Sequence, residues 1–184
     1  VLSAAETMKK AFERLKKEIK TNGDGGSQRL RIVFATVEND IHDIGKNIVI
    51  TILESYGYEI LDLGKDVQLE KVISTAVNEK ADVIALSALM TTTAPEMEKI
   101  VAELRKKRLD IPVIIGGAVI TSDYADNIGA VYSPDALSAV KTIKSVVKKM
   151  KSVKINDVIK EKKFTLSVEL VPPRNGTSLE EVYR

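Results

Sequence analysis

The chain contains one histidine and no cysteine, so few side chains are available for chemistry. Without thiols there are no disulfides, iron–sulfur clusters, thiolate zinc sites or thiol nucleophiles. The histidine lies in the stretch Val37-Glu38-Asn39-Asp40-Ile41-His42-Asp43-Ile44-Gly45-Lys46-Asn47, two residues after Asp40. An aspartate at that spacing can hold the imidazole by its Nδ1–H and leave Nε2 free as a ligand or a base. A histidine on an ordinary surface loop would look the same, and spacing alone leaves both readings open. One imidazole cannot build a zinc site, which takes three or four protein ligands. A metal here would have to bring its own ligands. A tetrapyrrole-like macrocycle does so, supplying an equatorial plane and needing one axial donor from the protein. Gly45 would let a bulky cofactor tail pass close to the backbone, or is simply a turn residue opening a helix.

The elements that must position this loop alternate regularly. Short β-branched runs at Ile32–Thr36, Glu59–Leu63, Val83–Ser87, Val113–Ile115 and a weak Ala130–Tyr132 are separated by helical stripes. The stripes are Ile44, Ile48 and Ile52; Leu69, Val72, Ile73 and Ala76; Met97, Ile100, Val101 and Leu104; and Leu137, Val140, Ile143, Val147 and Met150. Five strands alternating with five helices predict an α/β domain with a doubly wound, five-stranded parallel sheet. Ligands bind outside the carboxyl ends of such strands, so the loops opening at Val37, Ser87 and Gly116 are where function is sought.

Before this pattern, Ala5, Met8, Phe12, Leu15 and Ile19 form one helical stripe within residues 1–20, and the Gly-rich TNGDGGSQ segment marks a linker over 21–29. The α/β domain is expected over 30–152. Residues 153–184 are expected to be a tail or the start of a further domain, with strand character at Phe164–Val171 stopped by Pro172 and Pro173. Apolar residues at 44 % and charged residues at 29 % describe a globular protein with no bilayer-spanning run. The N-terminal stretch lacks the plan of a signal peptide, which predicts a cytoplasmic location. A net charge of +2, with basic and acidic residues interleaved, forms no nucleic-acid footprint. The Lys-rich Lys148–Lys163 stretch is expected to be a solvated helix face and linker.

Asp40-x-His42-x-x-Gly45, then Ser87-x-Leu89, then Gly116-Gly117 resembles the three-part fingerprint of corrinoid-binding domains in methionine synthase and the methanogenic and acetogenic methyltransferase corrinoid proteins. The match spans about residues 1–150, and each piece falls at a strand end. The resemblance implies a flavodoxin-like, Rossmann-type B12-binding fold preceded by one helix of a helical cap. It implies a cobalamin cofactor, methylcobalamin in the loaded state, bound base-off with His42 as the cobalt ligand in place of the cofactor's own benzimidazole. Asp40 would bond the other ring nitrogen, and Thr93 stands where the family continues the relay with a hydroxyl. Asn39, Ile41, Asp43, Ile44, Leu89 and Tyr132 are implied as further cofactor contacts. The nucleotide tail would run down a slot lined by Ser87, Thr91, Gly116 and Gly117, with Asp135 and Ala136 near its far end. By themselves Ser87 and Thr91 are equally well read as strand-end and helix-capping residues. The implied logic is proton linkage: the imidazole binds and leaves as cobalt cycles, and Asp40 stabilises the ring when it takes up a proton.

Two branches share the fingerprint. Val1 to Ile19 resembles the last helix of the cap over the methyl face of methyl carriers, which adenosylcobalamin mutases lack, and Ser87-Ala88-Leu89-Met90-Thr91 is similar to the methyl-carrier version. The expected function is a corrinoid protein carrying a methyl group on cobalt from a donor to an acceptor such as tetrahydrofolate or a thiol. It would serve methyl-donor and methyl-acceptor methyltransferase subunits and a reductive activator. The alternatives are a cobalamin-dependent sensor or transport module, or a mutase cofactor domain. A lone cap helix cannot bury its stripe as a bundle would. Either it docks elsewhere, with self-association one route, or the chain is a fragment. Ser167-Val168-Glu169-Leu170-Val171-Pro172-Pro173-Arg174 resembles the opening strand of methylenetetrahydrofolate reductase barrels.

Overall fold

The structure is a computed structural model that describes residues 30–161, with side chains described to residue 150. The expected cap helix, the 21–29 linker and the Phe164–Val171 strand lie outside the described residues. Ten elements alternate: β1 (Arg31–Thr36), α1 (Ile44–Ser55), β2 (Glu59–Asp62), α2 (Leu69–Asn78), β3 (Val83–Ser87), α3 (Pro95–Lys106), β4 (Val113–Gly116), α4 (Ser122–Ile128), β5 (Val131–Tyr132) and α5 (Ala136–Glu161). The chain divides into two units after Lys149. The α/β unit is the one that carries the strands. From Met150 the second unit begins, and its described part is the continuing helix to Glu161.

The expected doubly wound fold forms, with all neighbours parallel in the order β2-β1-β3-β4-β5. Chain order reverses between β1 and β3, so the loops leaving their carboxyl ends diverge and open a crevice. Alternate residues of each strand serve two cores. On one face Val33, Ala35, Ile84, Leu86, Val113 and Ile115 pack under α2, α3 and α4, through Val72, Met97, Ile100 and Ala125 among others. On the other, Ile32, Phe34, Val83, Ala85 and Ile114 meet Ile50 and Leu53 of α1 and Ala139, Val140, Ile143 and Val147 of α5. Each fully buried Val, Ile, Leu, Phe or Met side chain among them contributes about 1.5–3 kcal/mol, and each alanine less.

Two expectations about helix faces need correcting. In α1 the stripe divides: Ile44 is exposed and Ile48 half-buried on the cleft lining, and only Ile52 packs against the core, where Ile50 and Leu53 are buried. The first turn of α1 borders an open cleft instead of packing on the sheet, so its apolar residues face that space. In α5, Leu137 is likewise exposed although Val140, Ile143 and Val147 are buried.

Candidate functional site

The loop after β1 is built to bury a carboxylate. Val37 continues the strand by donating its N–H to the Ser87 carbonyl (3.1 Å) and by a parallel bridge to Val67. Asn39 then adopts a left-handed conformation (φ 63°), which its short polar side chain tolerates, and Asp40 turns inward to complete burial, 0 % exposed. Four donors converge on that carboxylate. Oδ1 accepts the His42 backbone N–H (3.0 Å) and lies 2.8 Å from His42 Nδ1. Oδ2 accepts the Leu89 N–H (2.7 Å) and the Thr93 hydroxyl (2.8 Å). That hydroxyl lies 3.0 Å from the Met90 carbonyl, the other acceptor open to its single proton. Burial works to raise the Asp40 pKa, but the His42 and Leu89 backbone N–H groups, the Thr93 hydroxyl and the His42 ring outweigh it and hold the carboxyl well below the usual carboxylate range. Asp40 is therefore an anion, and an anion only accepts. Nδ1 of His42 therefore carries a proton, and in the neutral ring that leaves the lone pair on Nε2.

The His42 side chain is 45 % exposed and borders a cleft of about 620 Å³ between the sheet and helices α1 and α5, a volume typical of small-molecule sites. Strand register builds the floor in two rows. Ser87 and Gly116 are paired neighbours at the strand ends, with the buried Thr36 beside Ser87 off the lining, and Phe34, Ala85 and Ile114 form the same-face row beneath. Ile48, Val49 and Leu53 of α1 and Ala139 and Ile143 of α5 make the apolar walls. Around the imidazole at the mouth stand three exposed apolar side chains, Ile41 (63 %), Ile44 (55 %) and Leu89 (41 %).

Of the residues singled out in the sequence, the structure gathers Ile41, His42, Asp43, Ile44, Gly45, Ser87, Leu89, Gly116, Gly117, Asp135 and Ala136 on the cleft lining, with Asp40 and Thr93 buried behind the imidazole. Asp135 sits just before α5, accepting the Ser138 N–H (2.8 Å) and hydroxyl (2.9 Å), and these bonds lower its pKa. Three residues are elsewhere. Tyr132 packs into the core on the opposite sheet face, because residue alternation in β5 points it away from the cleft. Thr91 is exposed and off the lining. Asn39 is exposed, its N–H bonded to Asp66 Oδ1 (2.7 Å), so it shapes the loop without lining the cleft.

The glycines divide in an instructive way. At Gly117 (φ 144°) a Cβ would stand 1.8 Å from the Ala88 carbonyl oxygen, and at Gly116 it would stand 2.9 Å from that of Ser133, so the pair is demanded by the chain's own packing. At Gly45 a Cβ would meet nothing within 4 Å. Internal packing gives no reason for a glycine in the first turn of α1, where it costs about 0.5–1 kcal/mol against alanine. It leaves open space on the cleft wall. Sequence reasoning missed Lys46, a buried cation on that wall, and the Leu89 N–H, since a backbone donor 49 residues from Asp40 has no side-chain signature.

A family model described as the B12 binding domain matches residues 30–141. The chain belongs to the B12-binding domain family. It is 41 % identical over 150 residues to dimethylamine corrinoid protein 1 of Methanosarcina acetivorans, covering 80 % of this chain and 70 % of that one. Among solved structures it is similar to the monomethylamine corrinoid protein of Methanosarcina barkeri (TM-score 0.67, 31 % identity, 79 % of this chain and 70 % of that one). It is also similar to a chain of the methanol:cobalamin methyltransferase complex MtaBC of the same organism (TM-score 0.64, 32 % identity, 70 % of this chain). The chain spans half of that last protein's length. A B12-binding domain takes a corrinoid, and the residues present fit one. Among the described residues no group of three or more His, Asp or Glu could hold a bare metal ion, whereas a metal equipped with its own equatorial donors asks for one axial donor, which Nε2 of a neutral His42 can be. The apolar collar of Ile41, Ile44 and Leu89 suits a flat macrocycle, and the uncrowded wall at Gly45 leaves room for a substituent.

Proposed function

We propose that this protein carries a methyl group between two methyltransferase partners, using a corrinoid bound base-off with His42 as its lower axial ligand. The observation that carries the ligand assignment is the Asp40–His42 pair: a fully buried anion holds Nδ1 at 2.8 Å, and the remaining ring nitrogen borders a cleft of suitable size. When bound, the corrinoid supplies a cobalt centre able to accept and release a methyl group. The chain's own residues bind and orient. Asp40 fixes the tautomer and direction of the imidazole, and the Leu89 N–H and Thr93 hydroxyl fix Asp40. Ile41, Ile44 and Leu89 would lie against the macrocycle. Ser87, Gly116, Asp135 and Ala136 would line the path of its tail over the apolar floor of Phe34, Ala85 and Ile114. The methyl-carrier reading is supported by relatives that are themselves dimethylamine and monomethylamine corrinoid proteins and by one from a methyltransferase complex. A methylamine-type donor delivered by one subunit, an acceptor such as tetrahydrofolate or a thiol held by another, and a reductive activator complete the proposed cycle.

The test is electron paramagnetic resonance of the cobalt(II) form after reconstitution with hydroxocobalamin. Because the chain has one histidine, labelling histidine with nitrogen-15 should change the axial hyperfine pattern from triplets to doublets, and His42→Ala should abolish it. A pattern unaffected by label and substitution overturns the ligand assignment. Failure of the reconstituted protein to accept labelled methyl from a methylamine donor with a methylamine methyltransferase, or from methanol with its methyltransferase, overturns the carrier reading.

A further inference from the structure

Among the described residues Lys46 is the one basic side chain folded into the interior, 2 % exposed. It stands third in α1, a helix end whose unpaired N–H groups already carry partial positive charge, so a buried cation there is unfavourable by itself. Its ammonium is 2.5 Å from Asp62 Oδ1 at the end of β2 and 3.3 Å from Asn47 Oδ1. The same Asp62 oxygen accepts the Gly64 N–H (2.9 Å). The Gly64 carbonyl accepts the Thr36 N–H (3.0 Å), and the Thr36 hydroxyl donates to the His42 carbonyl (3.4 Å). Two residues beyond Gly64, Asp66 in a left-handed conformation (φ 53°) donates its N–H to the Asp40 carbonyl (3.0 Å) and accepts the Asn39 N–H (2.7 Å).

These bonds close a ring. From Lys46 it runs to the end of β2, through the β2–α2 loop to Asn39, Asp40 and His42, and back along the chain into α1. We infer that Lys46 is a positioning residue for His42: it clamps the first turn of α1 to the loop that holds the histidine segment, so the direction of the imidazole depends on an ion pair it does not touch. The inference rests on the ligand reading above, and it assigns to Lys46 no contact with the cofactor.

The test uses the full chain without cofactor, labelled with nitrogen-15 histidine, so that heteronuclear NMR shows a single imidazole. Lys46→Met keeps the stem that lines the cleft and removes the charge, and Asp62, 38 % exposed, can turn to water; circular dichroism and a cooperative melt confirm the fold. The expected result is a shifted ring signal whose Nδ1 proton exchanges at least tenfold faster than in the wild type. After reconstitution, the share of cobalt(II) showing imidazole hyperfine should fall at least twofold. A folded Lys46→Met variant with ring shifts and proton exchange within twofold of wild type overturns the clamp. Should that variant fail to fold, the double variant Lys46→Met, Asp62→Asn, which keeps an acceptor for the Gly64 N–H and leaves no lone carboxylate, decides by the same criteria. Absence of imidazole hyperfine in the wild type would sink the ligand reading alone, since the ring NMR still reports on the clamp.

Discussion

Replacing Asp40 by asparagine keeps the shape of the buried side chain but puts an NH2 where one of two acceptors stood. Each carboxylate oxygen faces one adjustable donor and one fixed backbone donor: the His42 ring and N–H on Oδ1, the Thr93 hydroxyl and Leu89 N–H on Oδ2. Thr93 can turn to the Met90 carbonyl, and the His42 ring can shift its proton to Nε2, but a backbone N–H cannot turn. Either amide orientation therefore strands one buried N–H, at about 1–3 kcal/mol, and the two bonds that survive lose charge assistance, roughly 0.5–1 kcal/mol each. Together Asp40→Asn should destabilise the apoprotein by about 2–5 kcal/mol at pH 7. The loss should depend on pH in a defined sense. The folded pKa of Asp40 lies below its unfolded value, so the folded state binds fewer protons. Its contribution is fully present above the ordinary aspartate value of about 3.9 and falls by about 1.4 kcal/mol for each pH unit below it. Urea unfolding of both proteins from pH 3 to 8 should give a constant difference above about pH 5 that shrinks on acidification. A difference under about 0.5 kcal/mol at neutral pH, or one unchanged at pH 3, would refute the account of the four-donor carboxylate.

Thr93→Val, which keeps the branched shape, should cost about 1–2 kcal/mol by urea denaturation, because Oδ2 then retains only the Leu89 N–H. Gly117→Ala should cost more than about 3 kcal/mol or prevent folding, given a Cβ 1.8 Å from a carbonyl at φ 144°. Gly45→Ala should instead raise apoprotein stability by about 0.5–1 kcal/mol and weaken binding of hydroxocobalamin, measured by melting and by absorbance titration. Asp62→Asn should be more destabilising than Lys46→Met in chemical denaturation, since it leaves an ammonium buried without a counter-charge, a loss of up to about 3–5 kcal/mol.

The order of strands and helices was legible from residue types because a parallel sheet covered on both faces imposes apolar runs separated by helical stripes, and Ile32–Thr36, Val83–Ser87 and the α2 and α3 stripes carry that imprint with little ambiguity. The Asp40, His42 and Thr93 candidates were legible because a motif in chain order survives without coordinates. Periodicity misled at Ile44, Ile48 and Leu137. It reports which residues are apolar and not whether the surface they face is core or cleft.

Sequence alone thus determined the class of fold, the single imidazole and the carboxylate near it, since these depend on local spacing and composition. Only tertiary structure decided that Asp40 is an anion ringed by donors, that Gly116 and Gly117 answer to Ser133 and Ala88, that Tyr132 faces the opposite core, and that Lys46 is buried. Each of these is a meeting of segments distant in the chain, and the free energy of a buried charge or a close backbone contact depends on what surrounds it in space.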